Sequence, residues 1–250
     1  MSSSIPPEIH DLIVDHLLDE PTALKACCLV SKSWIQRTRK HLFARVKFRP
    51  FDHRVESWKK TFPDPTNSPA HHTRSLNIRL PRLVQAAHWD VISAFCRVVS
   101  LDVVTEGYDD ETSLVPLRGL FPALRSLRLS FSPLQYSDVF ALVCSFPCLE
   151  DLALHSFGYG RGGPWNTPST SPRLTGSLEL CSMPEGIQTA IRQLLGFPNG
   201  LHFTTIKVTW DTEQDVRLTT DLVLRCSDTL QSLTIASYLP SEFPLISVPD

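Results

Sequence analysis

Cysteine and paired histidine are the side chains of this chain best able to bind a metal or attack an electrophile, and their spacing decides whether they do. Cys144 and Cys148 stand four apart, but the segment around them is apolar and holds no second ligand pair, so zinc ligation is not expected. His71-His72 and Cys27-Cys28 are adjacent in sequence, and adjacent side chains on regular structure face different ways. The glycines of Gly158 to Pro172, Gly-Tyr-Gly-Arg-Gly-Gly-Pro-Trp-Asn-Thr-Pro-Ser-Thr-Ser-Pro, suggest a phosphate loop, yet no Lys-Ser/Thr follows and no Gly-x-Gly-x-x-Gly opens a helix. That stretch cannot be a helix and reads as a surface loop. No Ser/His/Asp elbow and no paired-carboxylate site is legible, so the sequence predicts no catalytic residue, no metal and no cofactor. An enzyme is the least favoured class, although fold alone never excludes activity.

The elements that would position any site follow from composition and periodicity. With 250 residues, 42% of them hydrophobic and 20% charged, the chain can bury a sizeable core and reads as globular. Its net charge of −2 argues against general nucleic-acid binding. The charges are unevenly spread: Glu8, Asp11, Asp15, Asp19 and Glu20 make the start acidic, whereas the stretch from Lys32 to Lys60 is basic. A basic run can mark a nucleic-acid patch, a nuclear import signal or a solvated helix face. No apolar run reaches the roughly 18 residues of a membrane span. Met1-Ser2-Ser3-Ser4 leads into Pro-Pro-Glu without a charged and then apolar leader, so no secretory signal is expected. The seven dispersed cysteines then read as reduced, mostly buried thiols. These features predict a cytoplasmic or nuclear protein that is not secreted and has no membrane partner.

The first 45 residues predict three short helices. Pro6 and Pro7 suit a helix start, because proline fixes φ and lacks only an N–H that the first turn leaves unpaired. Ser4 can cap and Glu8 favours the positive end of the helix dipole. Ile9, Ile13 and Leu17 recur at four-residue steps, flanked by Leu12 and His16, giving one apolar face. Pro21 ends that helix and Thr22 can start the next, which carries Leu24, Cys27 and Cys28 on one side. Val30 and Trp34 lead into a third segment reaching Leu42 and Phe43. A unit of about 40 residues is near the limit of what one small core can stabilise, so a partner is expected. The plain alternative is that Ile9, Ile13 and Leu17 are core positions of a larger helical domain.

From about residue 70 an alternating apolar signature repeats: Leu76-Asn77-Ile78, Leu101-Asp102-Val103, Leu127-Arg128-Leu129, Leu152-Ala153-Leu154, Leu178-Glu179-Leu180, Ile206-Lys207-Val208 and Leu233-Thr234-Ile235. Successive first positions lie 25, 26, 25, 26, 28 and 27 residues apart. A period of about 20 to 29 residues is that of leucine-rich repeats. Phe121-Pro122-Ala123-Leu124 and Phe146-Pro147-Cys148-Leu149 supply the leading apolar residue of the Leu-x-x-Leu-x-Leu core. Between the strands, Gln85 to Cys96, Ser137 to Phe146, Glu185 to Leu195 and Thr219 to Cys226 have helical spacing. Repeated strand and helix units stack into a curved solenoid with a parallel sheet inside. Val46-Lys47-Phe48 is the expected leading strand. Pro50 to His72 is a packed connector with a helical stretch around Val55 to Thr61 and a turn at Pro63-Asp64-Pro65.

The ordered series Ile5-Pro6-Pro7-Glu8-Ile9, Cys27-Cys28-Leu29-Val30-Ser31-Lys32-Ser33-Trp34 and His41-Leu42-Phe43 resembles an F-box, the helical module that plugs proteins into Skp-cullin-RING (SCF) ubiquitin ligases. Together with the Phe-Pro-x-Leu repeats, it looks like the expanded F-box families of mushroom-forming fungi. The resemblance implies an α/β chain divided into residues 1–45, an F-box, and 46–250, an irregular leucine-rich-repeat-like array in which 46–72 is connector and leading strand. It implies contact with a Skp-type adaptor, and through it the cullin scaffold, by Ile5, Pro6, Glu8, Ile9, Ile13, Leu17, Val30 and Trp34. The basic stretch would turn toward an acidic adaptor. Two departures are visible, Ile5 for the usual Leu and Ser31 for the usual Cys, and both keep the residue apolar or small.

The array also departs from its family. Asn or Cys normally follows the last core Leu by three residues and satisfies backbone groups in a ladder; here Pro81, Glu106, Ser132, Phe157, Met183, Asp211 and Tyr238 stand there. The chain ends 15 residues after Ile235 with no evident amphipathic cap, so either it is short at that end or Tyr238 to Asp250 folds back as an irregular cover.

Period two directs the residues between and after the core positions to the concave face. These are Asn77, Arg79, Asp102, Val104, Arg128, Ser130, Ala153, His155, Glu179, Cys181, Lys207, Thr209, Thr234 and Ala236. Of these, Arg79, Asp102, Arg128, His155, Glu179 and Lys207 are the client-binding candidates, with mixed signs and no bulk electrostatic preference. The expected function is that of a substrate-recognition subunit: the F-box fixes one end, the array holds an unidentified protein client, and ubiquitin transfer is catalysed elsewhere. The alternative is a non-catalytic F-box and repeat interaction protein with no role in ubiquitination.

Overall fold

The computed structural model describes residues 6–81, 86–105, 114–130, 136–155, 171–181, 184–210 and 212–237. Three helices open it: α1 (Pro7–His16), α2 (Pro21–Val30) and α3 (Lys32–Leu42). Pro7 and Pro21 each occupy the first helical turn, where the missing N–H costs nothing. Pro21 therefore opens α2 rather than closing α1, which ends at His16 with Leu17 as its C-cap. Pro6 is the N-cap of α1, and the proposed cap Ser4 lies outside the described residues. Ser31 breaks α2 from α3 with an extended backbone, and its hydroxyl accepts from the Ser33 N–H at 3.3 Å.

The chain then alternates strand and helix. In order come β1 (Arg45–Phe48), α4 (Phe51–Thr61), β2 (Ser75–Leu80), α5 (Ala86–Ser93), β3 (Ser100–Thr105) and β4 (Ser126–Ser130). They are followed by α6 (Tyr136–Cys144), β5 (Asp151–His155), β6 (Ser177–Cys181), α7 (Pro184–Leu195), β7 (Thr205–Trp210), α8 (Glu213–Arg225) and β8 (Ser232–Ser237). The strands form one open parallel sheet in chain order, the arrangement of a solenoid-like α/β fold. Single 3₁₀ turns occupy Pro65–Asn67, Pro69–His72 and Val115–Leu117.

The register follows the repeat. Val46, Leu76, Leu101, Leu127, Leu152, Leu178, Ile206 and Leu233 pair in one row, and Phe48, Ile78, Val103, Leu129, Leu154, Leu180, Val208 and Ile235 in a second. Both rows from β1 to β7 are buried against the helices in a single core. Ahead of β3, β4, β5 and β7 a turn is closed by a bond from residue i+3 to residue i: Val98 to Phe95, Leu124 to Phe121, Leu149 to Phe146, and Gly200 to Phe197. In the Phe197 turn Gly200 takes φ 71°, a conformation that favours glycine. In the final repeat Cys226 takes the phenylalanine place, its carbonyl accepting from Thr229 N–H.

The missing asparagine ladder has a substitute at the other end of the strands. The carbonyls of Ala44, Arg74, Val99 and Arg125 each accept two N–H groups from the next repeat, as do those of Gly176 and Thr204. This ladder is made of backbone alone, which is why no side-chain signature announces it. The strands keep one register across the sheet. Of the seven expected ladder positions only Pro81 is described; Gly158 to Thr170 and Tyr238 to Asp250 likewise lie outside the described residues.

Two helices are longer than their spacing predicts. The helix expected at Val55 to Thr61 starts at Phe51, and the one expected at Thr219 starts at Glu213. Thr212 and Asp215 form a capping box there, each side chain bonding the other's backbone N–H.

Candidate functional site

Two surfaces carry the sequence-selected residues, one on the helices and one on the sheet. In the helical unit Val14, Leu24 and Cys27 are buried. The α1 residue that enters this small interior is Val14, whereas Ile9 and Ile13, expected on the apolar face, are exposed. Leu17 is half-buried at the end of α1. Pro6 and Glu8 are exposed, and Ile5 lies outside the described residues. Val30 is 68% exposed, and Trp34 is half-buried against His10, ring centroids 5.4 Å apart. That contact brings the junction of α2 and α3 against the first half of α1. The adaptor candidates leave out Leu12, Leu18 and Leu29, which are more exposed than Ile9 and Ile13; Leu29 is 89% exposed. Leu12 stands three residues after Ile9, so its spacing was a usable signal.

Charge fastens the helices together. Asp15 accepts from Arg37 Nε at 2.7 Å and again from Arg37 Nη2, and lies 2.6 Å from His41 Nε2. Asp11 is 3.8 Å from Arg37. The Arg37 guanidinium, with His41 second, holds the Asp15 carboxyl well below the usual carboxylate range, and Asp15 raises Arg37 in turn. Arg37, within the basic stretch, is thus engaged inside the unit.

On the sheet the face away from the helices is open to solvent. Its middle row in register is Lys47, Asn77, Asp102, Arg128, Ala153, Glu179, Lys207 and Thr234. The row toward the strand ends carries Arg79, Val104, Ser130, His155 and Cys181. All six client-binding candidates are on this face and exposed or half-buried, whereas Thr209, expected there too, is buried. Two clusters form. Arg49 Nε donates to Asn77 Oδ1, the Asn77 amide donates to Asp102, and Arg49 Nη2 lies 3.5 Å from Asp102. Arg128 and His155 approach Glu179 at 3.6 and 3.3 Å. At the strand starts Asp151 accepts from the N–H and hydroxyl of Ser177 at 2.7 and 2.8 Å. Gly176 permits this, since a Cβ there would collide with Asp151 Oδ1.

The reactive side chains find other uses. Burial pushes the Cys144 thiol up to about 11, which makes it a poor thiolate, and Cys148 is exposed in the following turn. His71 and His72 share a 3₁₀ turn in which their rings do come together, centroids 3.9 Å apart, contrary to the expectation from adjacency. Burial, then the positive charges of His71, Arg39, Arg97 and Lys40, lowers the His72 pKa. No group of three or more His, Cys, Asp or Glu among the described residues is placed to hold a metal. A site the sequence did not announce is His88 on α5, which is 2% exposed and sits 3.2 Å from Asp52 and 3.3 Å from Glu56 of α4. The four-residue spacing of Asp52 and Glu56 was its one trace.

No helix among the described residues is long and apolar enough to cross a membrane. No family model, curated protein or solved structure matches the chain, so its function is argued from its own residues.

Proposed function

We propose that this chain is a substrate-recognition subunit of an SCF-type ubiquitin ligase, in which α1 to α3 are an F-box that binds a Skp-type adaptor and the strand–helix units are a leucine-rich-repeat-like array that holds a protein client. The observation that carries the reading is the set of large aliphatic side chains left in water on α1 and α2: Ile9, Leu12, Ile13, Leu29 and Val30. Each contributes roughly 1.5 to 3 kcal/mol when a partner covers it. A unit whose own interior holds so few side chains gains stability and affinity from the same contact. Pro6, Glu8 and Trp34 frame the surface, and Leu17 supports its edge.

The mechanism is positional. The adaptor fixes one end of the chain to the cullin scaffold, the open sheet face holds the client, and client lysines reach a high effective concentration near the loaded conjugating enzyme. No residue of this chain has to react and no cofactor is required. Such a subunit works in the cytoplasm or nucleus.

The test is co-purification with a Skp-type adaptor, comparing the intact chain with Ile9→Asp and Leu29→Asp. Binding that either change reduces at least about tenfold, as loss of one buried anchor predicts, is the expected result. An intact, folded chain that leaves the adaptor in the flow-through overturns the reading. Slower turnover of co-expressed clients on depletion of the chain separates a ligase subunit from a binding protein without that role.

A further inference from the structure

The end of α3, the 3₁₀ turn Pro69–His72 and the turns that lead into β2 and β3 gather six basic side chains: Arg39 and Lys40 in the last turn of α3, His71 and His72, Arg74, and Arg97. α3 packs directly against the 3₁₀ turn, and the rings of His71 and His72 stand 3.9 Å apart. Arg74 Nη1 donates to the Arg97 carbonyl at 3.4 Å, which joins those two residues at the start of the strands. Lys40, His71, Arg74 and Arg97 are exposed, and Arg39 and His72 are half-buried. The charges that bear on His72 are those of His71, Arg39, Arg97 and Lys40, with no carboxylate among them. Among the described residues no carboxylate pairs with Arg39, Lys40, Arg74 or Arg97 either, whereas Arg37, Arg49 and Arg125 each have an acidic partner.

The helix end accounts for only part of this charge. The C-terminus of α3 carries about half a negative elementary charge, which Arg39 and Lys40 complement, and four permanent cations stand here. The histidines add to the surplus when they protonate, and two imidazolium rings this close repel each other unless an anion is beside them. His71 is prepared for one: its Nδ1 lies 2.8 Å from the Ser68 carbonyl oxygen and so carries the hydrogen of that bond, which leaves Nε2 to take up a proton and donate. Burial, then its cationic neighbours, makes His72 the group whose charge a bound anion most restores. The cations surround one point instead of lining a row, an arrangement that suits compact, dense negative charge rather than an extended chain of spaced charges.

We propose that this junction binds a compact, multiply charged phosphate anion of the pyrophosphate or polyphosphate class, held by Arg39, Lys40, His71, His72, Arg74 and Arg97. The guanidinium groups meet phosphate oxygens in charge-assisted hydrogen bonds, and the histidines take up protons as the anion enters. Since its ligands come from α3 on one side and from the turns before β2 and β3 on the other, the anion ties the helical unit to the strand–helix units. The site uses none of the residues assigned to adaptor or client and does not rest on the ubiquitin-ligase reading.

The experiment is isothermal titration calorimetry of the purified full chain with pyrophosphate, at constant ionic strength and without divalent cations. One pyrophosphate should bind per chain, more tightly than sulfate, and should raise the melting temperature. Arg39→Gln and Arg97→Gln, on opposite sides of the junction, should each lower the affinity about tenfold. Lys59→Gln with Lys60→Gln, a larger charge loss on exposed positions of α4, should change it less than about twofold. His71→Gln with His72→Gln tests the proton uptake: the ratio of parental to variant affinity should grow about tenfold from pH 8 to pH 6, the ligand's own protonation being common to both proteins. Absence of saturable pyrophosphate binding, an equal loss in the Lys59 and Lys60 variant, or an affinity ratio that stays flat with pH in variants with parental melting curves overturns the proposal. Tighter binding of a short single-stranded oligonucleotide of equal charge would overturn it too, by showing a site for spaced phosphates.

Discussion

Arg128 on β4 reaches over β5 to Glu179 on β6, Nη2 to Oε2 3.6 Å, with Ala153 between them in the register. Two strand spacings are bridged because the intervening side chain is a methyl group. Both partners are partly exposed, so the coupling should be only about 0.2 to 1 kcal/mol. A double-mutant cycle of Arg128→Gln and Glu179→Gln, read by urea unfolding, measures it. In an Ala153→Leu background the branched side chain occupies the gap and the coupling should vanish. A coupling that survives Ala153→Leu would mean that the pair does not depend on that gap.

The Asp15 clasp predicts a pH dependence. Its folded pKa is depressed, chiefly by Arg37, so its contribution is fully present above the ordinary value of 3.8 and is lost as pH falls from there toward the folded value. Asp15 is 37% exposed, so solvent screening limits the effect to about 1 kcal/mol. Asp15→Asn should lower the stability of the helical unit by that amount at pH 7, and the gap between variant and parent should narrow progressively below about pH 3.8. Amide hydrogen exchange of α1 and α3 reports on this unit. A gap that is constant from pH 7 to pH 3 would rule out the charged clasp.

Much of the sheet was legible because its signal is periodic. The first core positions from Leu76 to Leu233 predict the strands, and the structure sets those same residues side by side in one row. Helix starts were less legible, as the early starts of α4 at Phe51 and α8 at Glu213 show; Thr212-x-x-Asp215 was a readable cap that apolar spacing overlooked. The open-face candidates were placed on one face by period two, but which charges pair across strands depends on contacts 25 or more residues apart, such as Asn77 with Asp102. On α1, periodicity alone could not say whether Ile9 and Ile13 point in or out, and it is their neighbour in sequence Val14 that is buried. The backbone ladder at the strand starts leaves no residue signature at all.

His88 should matter more than either of its carboxylate neighbours. It is buried between α4 and α5, edge-on to Phe51 with ring centroids 5.7 Å apart, while Asp52 and Glu56 are about half exposed. His88→Ala removes a packed ring and should cost about 2 to 4 kcal/mol in chemical denaturation. Asp52→Asn and Glu56→Gln, each losing one partly solvated contact, should cost less than about 1 kcal/mol. The reverse order would mean that charge, not packing, holds the two helices together.

The capping box of α8 gives a graded prediction. The Thr212 hydroxyl accepts from Asp215 N–H at 3.2 Å, the Asp215 carboxylate accepts from Thr212 N–H at 2.9 Å, and Gln188 of α7 donates to Asp215 at 3.0 Å. Thr212→Ala removes one cap and should cost about 1 kcal/mol. Asp215 is fully buried, so Asp215→Ala also leaves the Thr212 N–H without its acceptor and leaves the Gln188 amide only its longer, 3.4 Å bond to the Thr212 hydroxyl, and should cost about 2 to 4 kcal/mol. Gln188→Leu should then be less harmful in the Asp215→Ala background than in the parent, because the amide it removes has already lost the shorter of its two bonds. Urea midpoints of the four proteins decide this, and additive losses would show that α7 and α8 are not coupled through Asp215.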